Sequence, residues 1–213
     1  SGEVTGAVLI SGMIAEHGWH GSIVDLVVTD PARGSLQLKK ESRVELNSQR
    51  GRVENLCFSH ISGDLCLAAN YHSQSWQAEM SLSSFDTGYL LEQWPGAVDL
   101  VVDAHGDWAN DSASAELNIH SLGGQVKGQQ LSGSGSVVMG DGTVGLNEVY
   151  FQFGESVFTA DGQVREGGSL SFSGKVSDLA LFVESSSGSL EYSGSYKDDG
   201  NEGGLHFDIK GSE

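Results

Sequence analysis

Apolar residues in this chain recur every second position. Leu36 and Leu38, Leu100 and Val102, Leu117 and Ile119, and Val149, Phe151 and Phe153 alternate with polar or small residues. So do Leu170 and Phe172, and Leu205, Phe207 and Ile209. A period of two places one set of side chains on one face of a strand and the other set on the opposite face. Turn residues interrupt the pattern: Asp30-Pro31, Gly63-Asp64, Gly123-Gly124, Asp141-Gly142, Asp161-Gly162, Gly167-Gly168, Asp199-Gly200 and Gly203-Gly204. Glycine supplies the positive φ of tight turns, and Asp-Gly favours hairpins. The spacing predicts about fifteen short strands in one antiparallel meander without an internal domain boundary.

One stretch departs from the alternation. Within 83–96, Asp86 or Thr87 could cap a short helix presenting Leu90, Leu91 and Trp94, with Pro95 as its stop. Such a helix is a connector packed on the sheet, or a plug over one end of it.

Composition narrows the function classes. Of 213 residues, 30 are Gly and only 2 Pro, yet about a quarter are Leu, Ile, Val or Phe, above the range of disordered chains. The net charge is −18, whereas a nucleic-acid binder presents a basic surface; no nucleic-acid partner is expected. No apolar run approaches the roughly 20 residues that span a bilayer. The opening Ser1-Gly2-Glu3 reads as the start of an excised internal fragment.

Cys57 and Cys66 flank a turn at 61–62. A hairpin centred there sets them directly across from each other, within disulfide range. The expected cross-strand bridge implies an extracytoplasmic compartment.

Motifs for catalysis are weak. Gly140-Asp-Gly-Thr-Val-Gly145 fits GxGxxG, but Leu146–Phe153 after it is strand-like, so the glycines read as a hairpin turn. His17 and His20 lack a third metal ligand, and Asp198–Glu202 lacks the spacing of a calcium loop. Trp19, Trp76 and Trp108 have no spacing that would align them as a sugar platform. No enzyme, cofactor, catalytic residue or metal site is expected.

The remaining feature is the apolar face, which must be covered. A barrel, a sandwich or a sheet folded lengthwise around a groove would each do so. A groove lined by a single layer of apolar side chains suits an acyl chain.

Several segments carry a family resemblance. They include Gly18-Trp-His-Gly21, Ile23–Val28, Leu56-Cys57, Leu65-Cys-Leu67, Trp76–Leu82, Leu131–Gly135, Phe158–Val164 and Leu170–Gly174. Their order resembles the TamB family, the inner-membrane subunit of the translocation and assembly module. The resemblance implies a β-taco, one curved sheet over 1–213 folded around a hydrophobic groove. It also implies a periplasmic bridge that conducts phospholipid between membranes and is linked to outer-membrane protein assembly. A TamA-like outer-membrane partner would bind through regions outside this chain. The alternatives are a chaperone-like surface that pairs with unfolded strands, and a structural β-solenoid. The expected groove lining is Leu36, Leu38, Leu100, Val102, Leu117, Ile119, Val149, Phe151, Phe153, Leu170, Phe172, Leu205, Phe207 and Ile209.

Overall fold

The computed structural model describes residues 3–15, 18–31, 34–89, 91–109, 112–183, 185–198 and 203–212. His17, Leu90, and 199–202 of the weighed calcium loop lie outside them, as do Ser1 and Gly2. The described chain is all β. Its strands are β1 (Thr5–Ala15), β2 (Gly18–Asp30), β3 (Gly34–Leu38), β4 (Ser42–Leu46), β5 (Arg50–His60), β6 (Gly63–His72), β7 (Ser75–Asp86) and β8 (Gly96–Ala109). They continue as β9 (Ser112–Val126), β10 (Gln129–Gly140), β11 (Thr143–Phe153), β12 (Ser156–Val164), β13 (Ser169–Val176), β14 (Ser189–Asp198) and β15 (Gly203–Ser212).

All fifteen form one antiparallel sheet, and from β5 onward each strand pairs with the next in sequence. β3 and β4 are two halves of one interrupted strand. Both pair with β2 on one side and β5 on the other. The buried Ser42 side chain at the break donates to the Glu54 carbonyl. Two-residue turns join many of the strands. The one between β10 and β11 is Asp141-Gly142, with φ of 49° and 72°; both left-handed, they suit a hairpin. This disposes of the GxGxxG reading, because Gly140 and Thr143 close the turn between two strands.

Many glycines lie inside strands, among them Gly123, Gly124 and Gly162 of the expected turns. Gly12, Gly51, Gly106, Gly123, Gly124 and Gly162 are all strand residues. Gly124 and Gly162, like Gly135, have φ between 124° and 138°, which L side chains rarely adopt. Gly135 and Gly162 border shifts in pairing register, β9 against β10 and β11 against β12, and further shifts lie between β7 and β8 and between β8 and β9. Bulges of this kind bend a strand and increase its twist. The shifts of β7 against β8 and of β11 against β12 carry the same device. Asp99 Oδ1 accepts from the Ser84 N–H at 2.8 Å, and Asp161 Oδ2 from the Glu148 N–H at 3.0 Å. Ser84 and Glu148 are left-handed, with φ of 50° and 47°. The neighbouring strand's carboxylate satisfies the amide that the bulge removes from the ladder.

The expected helix within 83–96 is not an α-helix. β7 runs to Asp86, and a single 3₁₀ turn, Thr87–Tyr89, follows. Asp86 does act as the cap, accepting from the Gly88 N–H at 2.9 Å. The Thr87 hydroxyl then donates to the Trp94 carbonyl at 2.5 Å, pulling the segment into a loop that lays Trp94 on the sheet.

Candidate functional site

Directly paired residues of an antiparallel sheet put their side chains on the same face. The register therefore shows which residues share a surface. One row starts at Leu38 and crosses twelve strands: Leu38, Phe58, Leu65, Leu82, Leu100, Leu122, Gly133, Phe151, Phe158, Gly174, Tyr192, Ile209. A parallel row runs Leu56, Leu67, Met80, Val102, Ile119 and Gly135. Past the β11 bulge it resumes as Val149, Ala160, Phe172, Gly194 and Phe207. A third holds Ala104, Leu117, Val137, Leu146, Gly162, Leu170, Tyr196 and Leu205. Leu36 lies two residues before Leu38, and Phe153 two after Phe151. All fourteen residues expected to line a groove thus lie on one face.

The opposite face is polar: Arg52, Glu79, Asp103, Glu116, Asn147, Thr159, Ser173, Glu191 and Lys210 point that way. Along β13 exposure alternates strictly, with the polar-face residue open and the apolar-face residue half-buried. Yet among the described residues no second sheet packs on the apolar face. Phe207 is 49% exposed and Leu205 70%.

One end of this face is covered. The connectors 87–95 and 177–188 leave the sheet at the same strand ends and converge there. Trp94, Phe153 and Phe182 form a triangle with ring centroids 5.6, 5.6 and 6.2 Å apart. Beneath Trp94 the buried Val98, Val126, Leu131 and Phe153 form a hydrophobic cluster, and Phe153 is only 3% exposed. Lys127 Nζ sits 4.2 Å from the Trp94 ring centre and donates to the Leu181 carbonyl at 3.3 Å. The sequence missed the second connector, because nothing local links Phe182 to Trp94. At the far strand ends Trp76 and Trp108 stack at 6.4 Å, with Tyr71 at 5.9 Å from Trp108. The hairpin register, which opposes Trp76 to Gly106, brings them together.

The polar face carries the disulfide. Cys57 pairs with Cys66 as the turn at 61–62 required, and their Cα atoms are 4.0 Å apart. Nearby a hollow of about 380 Å³ is bordered by Cys66, Gln77, Glu79, Asp103 and His120. His120 is the extra residue of the β9 bulge, and its ring is hydrogen-bonded to Asp103. That bond, opposed by burial and aided by Asn118 Nδ2 at 3.3 Å, lowers the Asp103 pKa below its ordinary value. His105 lies 3.8 Å from Asp103 and 3.6 Å from Glu116. Among the described residues no three His, Cys, Asp or Glu side chains converge as a metal site, and no helix is long and apolar enough to cross a membrane.

The family model described as the N-terminal domain of TamB matches residues 67–213, more than half of the chain. The match begins one residue after Cys66, so the disulfide and strands β1–β5 precede it. No curated protein and no solved structure matches the chain.

Proposed function

The chain belongs to the TamB family, and from that premise we propose that its apolar face is a groove for phospholipid acyl chains. In this reading the sheet curves lengthwise into a β-taco in the periplasm. Acyl chains lie across the rows of apolar side chains, and head groups stay toward solvent. The observation that carries it is the continuity of the rows. Apolar residues and glycines follow one another from Leu38 to Ile209 without a charged side chain. Burying one methylene is worth about 0.8 kcal/mol, so a chain leaving a bilayer regains contact stepwise. Rows of similar residues offer no single deep trap, which favours sliding. The polar face and the charge of −18 keep such a surface soluble. The surrounding activity, a bridge between inner and outer membranes with a TamA partner, follows from the family.

Mass spectrometry of lipid extracted from the purified chain tests the groove. Diacyl phospholipid in wild type and its loss in Phe151→Arg support it; lipid equally abundant in both would refute it.

A second reading has its own observation. β1 is an edge strand without a charged residue from Thr5 to Ala15, and Leu9 and Ile10 are each 58% exposed. Such an edge can template another strand, as a chaperone for outer-membrane proteins would. Crosslinks from Phe151 to acyl chains favour the groove, and crosslinks from β1 to nascent strands favour the chaperone.

A further inference from the structure

Several aromatic rings on the apolar face occupy the space above a glycine of the neighbouring strand. The Trp76 ring fills the position of a Cβ on Gly106, and Trp19 that of a Cβ on Gly12. The Tyr192 ring does so over Gly174, and the Phe172 ring over Gly194. Phe172 and Phe207 flank Gly194 from either side, and their centroids lie 5.8 Å apart. Gly174 and Gly194 do not have the left-handed φ that would demand glycine. Their backbones would accept alanine, and glycine inside a strand weakens it. What they supply is room for a ring to lie down along the sheet instead of standing off it.

The lining changes character along the rows. In the row through Leu56, the positions from β5 to β9 are all aliphatic: Leu56, Leu67, Met80, Val102, Ile119. From β10 to β15 the same row alternates glycine or alanine with larger residues: Gly135, Val149, Ala160, Phe172, Gly194 and Phe207. A ring laid flat over a glycine takes less depth from a groove than an upright side chain.

We propose that Gly174 and Gly194 are positioning residues that hold Tyr192 and Phe172 against the sheet, and so give this end of the groove depth for a two-chain lipid. The inference rests on the groove reading above. The three atoms nearest a Cβ at Gly174 all belong to the Tyr192 side chain, a movable obstacle, so the fold can survive while the ring is lifted into the groove. A Cβ at Gly194 would also meet the His206 carbonyl at 2.9 Å, which makes Gly174 the cleaner probe.

The test is binding of a fluorescent diacyl phosphatidylethanolamine and of its single-chain lyso form to the full chain. Wild type, Gly174→Ala, and Gly174→Ala with Tyr192→Leu would be compared, with circular dichroism as the check on folding. Expected is a loss of diacyl affinity of about fivefold or more in Gly174→Ala, with lyso affinity within about twofold of wild type. The double variant should regain diacyl binding, because leucine removes the lifted ring. Undiminished diacyl binding by Gly174→Ala, or failure of the double variant to recover, would overturn the role of the glycines while leaving the groove reading standing. Binding of neither lipid by wild type would overturn the groove reading itself, and this inference with it.

Discussion

Trp94 and Phe182 stand 6.2 Å apart, ring centroid to ring centroid, on two connectors that leave the sheet at different strands and meet over the same end of its apolar face. They give a one-layer sheet its one substantial buried cluster among the described residues. In the groove reading they wall off one side of the passage near β8 to β12.

Trp94→Ala should therefore cost stability locally. Truncating a large buried aromatic typically costs 3–5 kcal/mol; Trp94 is half-buried, so about 2–3 kcal/mol is expected. Hydrogen exchange is the suitable measurement, because in a meander each strand leans only on its neighbours. Amides of Val98, Val126 and Leu131 should exchange faster in the variant, with those of β14 unchanged. Lys127→Ala should give the same pattern at about 0.5–1 kcal/mol, the range of an exposed cation–π contact.

Phe151 and Phe153 sit two residues apart on one face but should answer differently to a charge. Phe151 is 38% exposed and Phe153 3%. Arginine at 151 can carry its head group to water along its own stem, so the fold should persist while lipid capture is lost. Arginine at 153 would bury an unpaired charge beneath Trp94, at several kcal/mol, and should lower the urea midpoint sharply. Equal urea midpoints for the two variants would contradict the buried end.

The Cys57–Cys66 bridge closes a short loop, with a sequence separation of 9. Chain entropy for a loop of that length gives about 2.5 kcal/mol. Reductant should lower the melting temperature accordingly. It should leave lipid capture intact, because the bridge lies on the polar face. Lipid loss on reduction, with the fold retained, would show that the two faces are coupled.

Asp103 is held below its ordinary pKa chiefly by the hydrogen bond from His120. A group whose folded pKa is depressed stabilises the fold when ionised. Its contribution is complete above the ordinary aspartate pKa and is lost as pH falls through the lowered folded value. His120→Ala should move the Asp103 titration upward, because burial, which raises it, remains. Carboxyl carbon shifts followed by NMR from pH 6 to pH 2 would check this. An unmoved titration would mean that the pair is not formed in solution.

Period-two alternation fixed the strands and the face of every expected lining residue. In an antiparallel sheet the parity of a residue decides its side, and only a bulge resets it. Bulges at Ser84 and Glu148 do reset it, and the apolar residues resume in the new parity: Phe85 faces Val98, and Val149 faces Ala160. The disulfide was legible for the same local reason, a short turn between two paired cysteines.

Local pattern fails where distant parts meet. The 83–96 stretch carried a helix signal of cap, apolar spacing and proline stop. Its short length and the bond from Thr87 to the Trp94 carbonyl made it a loop instead. Its partner Phe182 comes from a connector near the other end of the chain. Nothing in the sequence around Gly106 or Gly194 shows what lies over them. Only the register, which sets a ring from the next strand over each, shows that they make space. Sequence by itself determined that Cys57 and Cys66 pair and which alternating residues share the apolar face, because both follow from alternation and a short turn. The tertiary structure decided what lies on that face, where rings recline and where it is capped, because those contacts join residues whose order in the chain carries no mark of their meeting.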